Sequence, residues 1–190
     1  MFRNPAITVD SLRVEDSTAE FVMDEETFRA FYERTARGVW AYLARVTGDR
    51  QLADDLLQEA FYRFLRANAT HESETHRRNS LYRIATNLAR DARRRSLIRR
   101  ASTQSEGDIE LVPSGDQPGA AERCADLSRA MSRLQPRERA MLWLAYVEGA
   151  SHSEIASVLG LSSGSLKAML FRARRKLGAL LRGAPEGSKP

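Results

Sequence analysis

Between Ser151 and Leu177 the chain spells out two helices and the turn that joins them. Ser151-His-Ser-Glu154 has the spacing of a capping box, where a hydroxyl and a carboxylate each accept a backbone N–H at a helix start; such a cap is typically worth ~1 kcal/mol. Ile155, Ala156, Val158 and Leu159 follow, and Gly160 ends a short helix. Leu161 and Ser162 make the turn. A longer helix is then predicted over residues 163–177, with Leu166, Met169, Leu170, Ala173 and Leu177 inward and Lys167, Arg172, Arg174, Arg175 and Lys176 available outward. A short capped helix, a turn with glycine and a longer basic helix make the helix-turn-helix layout. The second helix would offer its N-terminal residues to base edges in the major groove. Ser163, Gly164 and Ser165 are small enough for close approach, and helix-end N–H groups with nearby cations suit phosphates. The alternative is a basic, solvated hairpin in an ordinary bundle.

The rest of the chain repeats the helical period and carries no strand signal of comparable strength. Asp24 can cap a helix that opens with Glu25 and Glu26, carries Phe28, Phe31, Tyr32, Thr35, Val39, Leu43 and Val46, and stops at Gly48. Asp49 can cap a second helix striped by Leu52, Leu56, Leu57, Ala60, Phe61, Phe64 and Leu65. A polar loop over residues 68–74 precedes a third helix through Leu81, Ile84, Ala85, Leu88 and Ala92. Residues 101–121 hold Ser, Gly, Pro and acids with few large apolar groups, too little to offset chain entropy, and read as a flexible acidic linker. Beyond it, Leu127, Met131 and Leu134 mark one helix. Pro136 opens another, with Met141, Leu142, Leu144, Ala145 and Val147 on its apolar side. The expected architecture is all-α: two small helical domains, 24–100 and 122–182, joined by the linker, the second a helix-turn-helix. Residues 1–23 form an N-terminal extension without an assigned role. Residues 183–190 form a short tail, from which no appended domain is expected.

Charge is banded. The chain has a net charge of +5, yet residues 77–100 hold nine arginines against one acid, and 101–121 hold four acids and no cation. Two separated basic blocks suggest two contacts with a polyanion. In the first block arginines recur at helical spacing beside Tyr82 and Asn87, a pattern that suits phosphates and unstacked bases, although a solvated face is the usual explanation of a basic run. Asp54-Asp55-Leu-Leu-Gln58-Glu59 carries paired carboxylates, but at that spacing on a helix they do not converge on one point, and they read as a solvated or protein-docking face rather than a catalytic site. The lone Cys124 excludes an internal disulfide and gives no thiolate zinc site, and His71, His76 and His152 read as solvated. No metal or cofactor is expected, nor a signal peptide or membrane insertion, and the cytoplasm is the expected location.

The segments Phe28-Arg-Ala-Phe-Tyr32, Gly48-Asp-Arg-Gln-Leu-Ala-Asp-Asp-Leu-Leu-Gln-Glu-Ala-Phe61 and Leu81-Tyr-Arg-Ile-Ala-Thr-Asn-Leu-Ala89 resemble domain 2 of RNA polymerase sigma factors of the extracytoplasmic-function (ECF) group. Leu134-Gln-Pro-Arg-Glu-Arg139, Tyr146-Val-Glu-Gly149, Glu154-Ile-Ala156, Leu159-Gly-Leu-Ser162 and Phe171-Arg-Ala-Arg-Arg-Lys-Leu177 resemble their domain 4. Single pieces are not very specific; both sets, in this order and spacing, are. The resemblance covers about residues 24–100 and 122–182.

The resemblance implies a specificity subunit rather than an enzyme, with no catalytic residues, whose partners are core RNA polymerase, promoter DNA and an anti-sigma factor that no sequence feature identifies. Asp54, Asp55, Gln58, Glu59 and Phe61 would dock on the polymerase clamp. Tyr82, Arg83, Asn87, Arg90, Arg93 and Arg94 would meet the minus-ten element. Ser163, Ser165, Lys167, Ala168, Arg172, Arg174 and Arg175 would read the minus-thirty-five element, and the acidic linker would thread through polymerase channels. The sequence departs from the family pattern at two places. Ser80 stands where many members have Trp, which removes a stacking partner worth ~1–3 kcal/mol per base and weakens a simple wedge model of DNA opening. Ala168 and Met169 stand where many have Ser-Arg, which alters the expected promoter preference. Two other readings compete: a stand-alone helix-turn-helix regulator with a helical sensing or dimerising domain, and a metal-dependent nuclease using Asp54, Asp55 and Glu59. The second basic band argues against the first, and the lack of further converging ligands against the second.

Overall fold

The computed structural model describes residues 23–67, 69, 71, 73–100 and 120–183, among which all regular structure is helical. Among the described residues the helices number seven: α1 Glu25–Thr47, α2 Arg50–Arg66, α3 Glu74–Arg100, α4 Ala120–Ser132, α5 Pro136–Tyr146, α6 His152–Leu159 and α7 Ser163–Leu181. The linker expected at 101–121 lies outside the described residues except for its last two, which begin α4; most of the extension and tail also lie outside them.

Local chemistry sets the helix ends. Asp24 accepts the Thr27 N–H at 2.8 Å and Asp49 the Leu52 N–H at 3.0 Å, each satisfying a donor that the first turn leaves unpaired. Gly48 closes α1 at φ 81°, a left-handed conformation that the Cβ of other residues disfavours. At α6 both halves of the capping box form: Glu154 N–H donates to Ser151 Oγ at 3.3 Å, and Ser151 N–H to Glu154 Oε2 at 2.7 Å. Gly160 ends that helix at φ 64°. Helix α7 runs a turn beyond the expected Leu177, because Leu180 is also buried and the left-handed stop comes at Gly183 (φ 70°).

Helices α1, α2 and α3 pack around aromatic rings. Phe31 is fully buried, stacked on Phe64 at 5.2 Å and edge-on to Phe61 at 6.3 Å. Tyr42 and Tyr82 meet edge to face at 5.2 Å, and the Tyr42 hydroxyl shares a 2.7 Å hydrogen bond with Thr86 Oγ1. Burial pushes the Tyr42 phenol up to about 12, so it stays a neutral donor. Helices α4 to α7 bury Leu134, Met141, Leu144, Ile155, Val158 and Leu166 against one another. Val147, expected on the apolar side of α5, is 59% exposed because the helix ends at Tyr146 and the next residue leaves its face. The two helical groups also touch: α5 lies on α1 and α6 on α3.

His71 departs from the solvated reading. Its ring lies parallel to Phe64 at 5.2 Å and edge-on to His76 at 5.5 Å, with Nδ1 buried and unpaired. Burial first, then His76 and Arg77, lower its pKa. The unfolded chain, with an ordinary His value of about 6.5, therefore binds this proton more readily than the folded one. The His71 contribution to stability is complete above that value and is lost as pH falls below it. His71→Phe retains the stack and should flatten the acid limb of Tm against pH; an acid limb as steep as wild type would count against this account.

Candidate nucleic-acid interface

Helix α7 buries Leu166, Leu170, Ala173 and Leu180, and this fixes the opposite side toward solvent. A stripe of Gly164, Lys167, Ala168, Phe171, Arg172 and Arg175 results, spaced three and four apart. The first five line a shallow open groove. Phe171 is 63% exposed, a large apolar ring among cations, where burial in the core cannot be its role. Sequence reasoning placed Gly164, Lys167, Ala168, Arg172 and Arg175 here and missed Phe171, which the spacing alone would have found. Three expected residues are placed differently. The Ser165 hydroxyl turns back to Ser162, at 2.8 Å from its hydroxyl, and serves the helix start. Ser163 is exposed at the flank of the stripe rather than on it. Arg174 leaves the stripe for the Tyr146 ring, 5.9 Å from its centroid.

Helix α3 buries Leu81, Ala85, Leu88, Ala89 and Ala92, so Arg83, Asn87, Arg93 and Arg94 stand exposed. Asp91 pairs with Arg94 at 3.5 Å, so one of these cations is partly neutralised. Tyr82 is a correction. It is 2% exposed, held by the Tyr42 ring, and cannot stack on a base in this arrangement. Burial, then the nearby Glu148 carboxylate, raises its pKa. Arg90 is exposed but donates to the Leu159 carbonyl at 3.1 Å.

Helix α2 packs on α1 and α3 and turns Asp54, Asp55 and Gln58 outward. Glu59 sits beside them, paired with Arg63 at 2.6 Å. Asp54 Oδ1 accepts the Trp40 indole N–H at 2.7 Å, while the Arg50 guanidinium lies over the Trp40 ring at 5.5 Å from its centroid. Trp40 and Arg50 escaped sequence reasoning because they belong to a different turn of the fold from the acidic run. Phe61 is a second correction: it is 4% exposed, gripped by Phe28, Phe31 and Tyr32, and supports the acidic face from beneath rather than forming part of it. Asp54 and Glu59 are engaged with different partners, and among the described residues no group of three or more His, Cys, Asp or Glu could hold a metal ion. Nor is any described helix long and apolar enough to cross a membrane.

Residues 31–97 match the family model of Sigma-70 region 2, and residues 124–177 that of Sigma-70, region 4. The ECF RNA polymerase sigma factor SigL of Mycobacterium tuberculosis is 30% identical over 152 residues, 78% of this chain and 85% of SigL. The RNA polymerase sigma factor CnrH of Cupriavidus metallidurans is 34% identical over 166 residues, 80% of this chain and 87% of CnrH. Among solved structures, the sigma factor RpoE in complex with the anti-sigma factor NepR from Bartonella quintana superposes with a TM-score of 0.68, covering 82% of this chain and 96% of that one at 20% identity. CnrH in complex with the cytosolic domain of CnrY gives 0.62, covering 85% and 92% at 23% identity. At such identities the likeness is one of fold. The two family models in this order, the relatives matched over more than four fifths of their length and the all-helical fold agree: the chain belongs to the ECF RNA polymerase sigma factors.

Proposed function

We propose that this chain binds core RNA polymerase in the cytoplasm through the α2 face and directs it to a two-part promoter, as a regulatory subunit without catalytic residues of its own. The observation that carries the reading is the division of exposed charge among three helices: acidic residues on α2, arginines on α3 and a basic stripe on α7. Asp54, Asp55, Gln58 and Glu59 supply the docking face, with Trp40 holding the Asp54 carboxylate in place. Arg83, Asn87, Arg93 and Arg94, joined by Arg90 when it is released from Leu159, meet the minus-ten element. Lys167, Arg172 and Arg175 contact the minus-thirty-five phosphates and base edges, while Ala168 and Phe171 offer apolar surface of the kind that meets a thymine methyl group. An anti-sigma factor that covers these surfaces is the expected regulator.

The test is transcription in vitro with core polymerase on a library of genomic promoters. The full chain should select a subset of templates sharing two elements, and Asp54→Lys should abolish that selection by reversing a charge of the docking face and removing the acceptor of the Trp40 indole N–H. Template choice no different from core enzyme alone would sink the reading.

A further inference from the structure

The join between the two helical groups gathers cations without acids. Arg45, in the last turn of α1, is only 9% exposed, and its Nη1 donates to Ser128 Oγ of α4 at 3.4 Å. Arg139 of α5 donates from its own Nη1 to the Arg45 carbonyl at 2.9 Å, while its Nε is buried with no hydrogen-bond partner. Burial and the Arg139 charge hold Arg45 down to about 10, and burial with the charge of Arg93 on α3 lowers Arg139. The Cys124 thiol acts the other way on Arg45. Among the described residues no carboxylate forms an ion pair with Arg45, Arg93 or Arg139.

A buried guanidinium is ordinarily paired, because burial strips its hydration and a counter-charge must replace it. The end of α1 supplies part of the compensation. Its last carbonyls amount to roughly half a negative charge, and one of them accepts the Arg139 bond. Half a charge against two desolvated cations, with Arg93 as a third, leaves the join electropositive. It also leaves donors unused: a guanidinium has five N–H groups, and the bonds above occupy one on Arg45 and one on Arg139.

We propose that this join is a binding site for a small phosphate-class anion, held by the Arg45 and Arg139 guanidinium groups with Arg93 completing the set. A doubly charged oxyanion matches the planar forks of arginine, accepts several N–H donors at once and neutralises the cations that α1, α3 and α5 bring together. The ligand is inorganic phosphate or the phosphate group of a nucleotide. Arg45 lies deepest and Arg93 is exposed, so the anion enters past Arg93, and the burial of Arg45 selects a small ion over the backbone of a duplex. The site draws on no residue of α7 and stands apart from promoter reading. Its donors come from both helical groups, so occupancy stabilises their packing.

The test uses the full chain. Inorganic phosphate, pyrophosphate and ADP are titrated by calorimetry against chloride at equal ionic strength, with Tm followed alongside. Phosphate should raise the Tm of the wild-type chain above its value in matched chloride. Arg93→Gln, at an exposed position, and Arg45→Met should each weaken phosphate binding at least about tenfold, the loss expected for a charge-assisted hydrogen bond. In chloride, Arg45→Met should melt at or above the wild-type temperature, because an apolar chain of similar reach replaces an unpaired buried charge. In phosphate the order should reverse. Tighter binding of pyrophosphate or ADP would assign a nucleotide-type ligand, and equal or tighter binding of inorganic phosphate would assign the free ion; either result supports the site. No binding beyond that of chloride would overturn it, as would binding that survives both substitutions. Binding lost equally in Lys167→Ala would place the anion on α7 instead. Arg45→Met melting well below wild type in chloride would show that Ser128 and the helix end already satisfy the guanidinium, and would also overturn the proposal.

Discussion

Lys167→Ala, Arg172→Ala and Arg175→Ala combined should cut affinity for minus-thirty-five duplex on the order of a hundredfold near physiological salt, at roughly 1 kcal/mol per exposed charge contact. The salt dependence is the sharper signature. Each lost phosphate contact flattens the log affinity–log salt slope by about 0.9, so three should flatten it by nearly three units. Folding should be spared, because the face of α7 that packs is made by Leu166, Leu170, Ala173 and Leu180, none of which changes. Arg174→Ala serves as the contrast. Its guanidinium already lies over the Tyr146 ring and off the exposed stripe, so its loss should cost much less. Anisotropy titrations at several salt concentrations decide the matter. A triple variant with the wild-type slope would move the DNA contact off this stripe.

The largest loss of stability is expected from Phe31→Ala. This ring is fully buried, stacks on Phe64, meets Phe61 edge-on and carries the Arg77 guanidinium 5.8 Å from its centroid. Removing such a side chain costs about 3–5 kcal/mol, because a cavity remains where the transferred surface was. Domains of this kind are stable by only about 5–15 kcal/mol in total, so the N-terminal helices would be close to unfolding at growth temperature. Both α2 docking and α3 presentation would fail together, without any change at either surface. Urea denaturation followed by far-ultraviolet dichroism measures the shift in midpoint, and Phe31→Leu should recover a large part of it by filling most of the volume. A loss below about 1 kcal/mol would show that Phe64 and Phe61 collapse into the space.

Helix boundaries were legible because their causes are local. Asp24, Asp49, Gly48, Ser151, Glu154 and Gly160 act over three or four residues, and each does in the structure what its spacing implies. The all-helical class was legible for the same reason. The exposed stripe of α7 was mostly legible, since Leu166, Leu170 and Ala173 fix which side remains for Lys167 and Arg172. Tyr82 and Phe61 were misplaced because an aromatic residue beside charges reads equally well as a surface contact or as the edge of a core. Only the ring of Tyr42 in one case, and those of Phe28, Phe31 and Tyr32 in the other, resolve the choice, and they lie on another helix. The seam between α3 and α6 was not legible at all. Periodicity tells which face of a helix is apolar and is silent on which distant element supplies an acceptor to Asn79 or Arg90.

The chain has two tryptophans, and each indole N–H ends on a carboxylate at a different working surface. Trp40 donates to Asp54 on the outer face of α2, and Trp143 donates to Glu148 at the seam with α3. The molecule therefore carries a native optical label at each of two events. Engagement of the α2 face would alter the surroundings of one emitter, and a change at the α3 contact those of the other. With Trp40→Phe and Trp143→Phe as single-emitter versions, stopped-flow fluorescence can time the two events against each other and reveal which comes first.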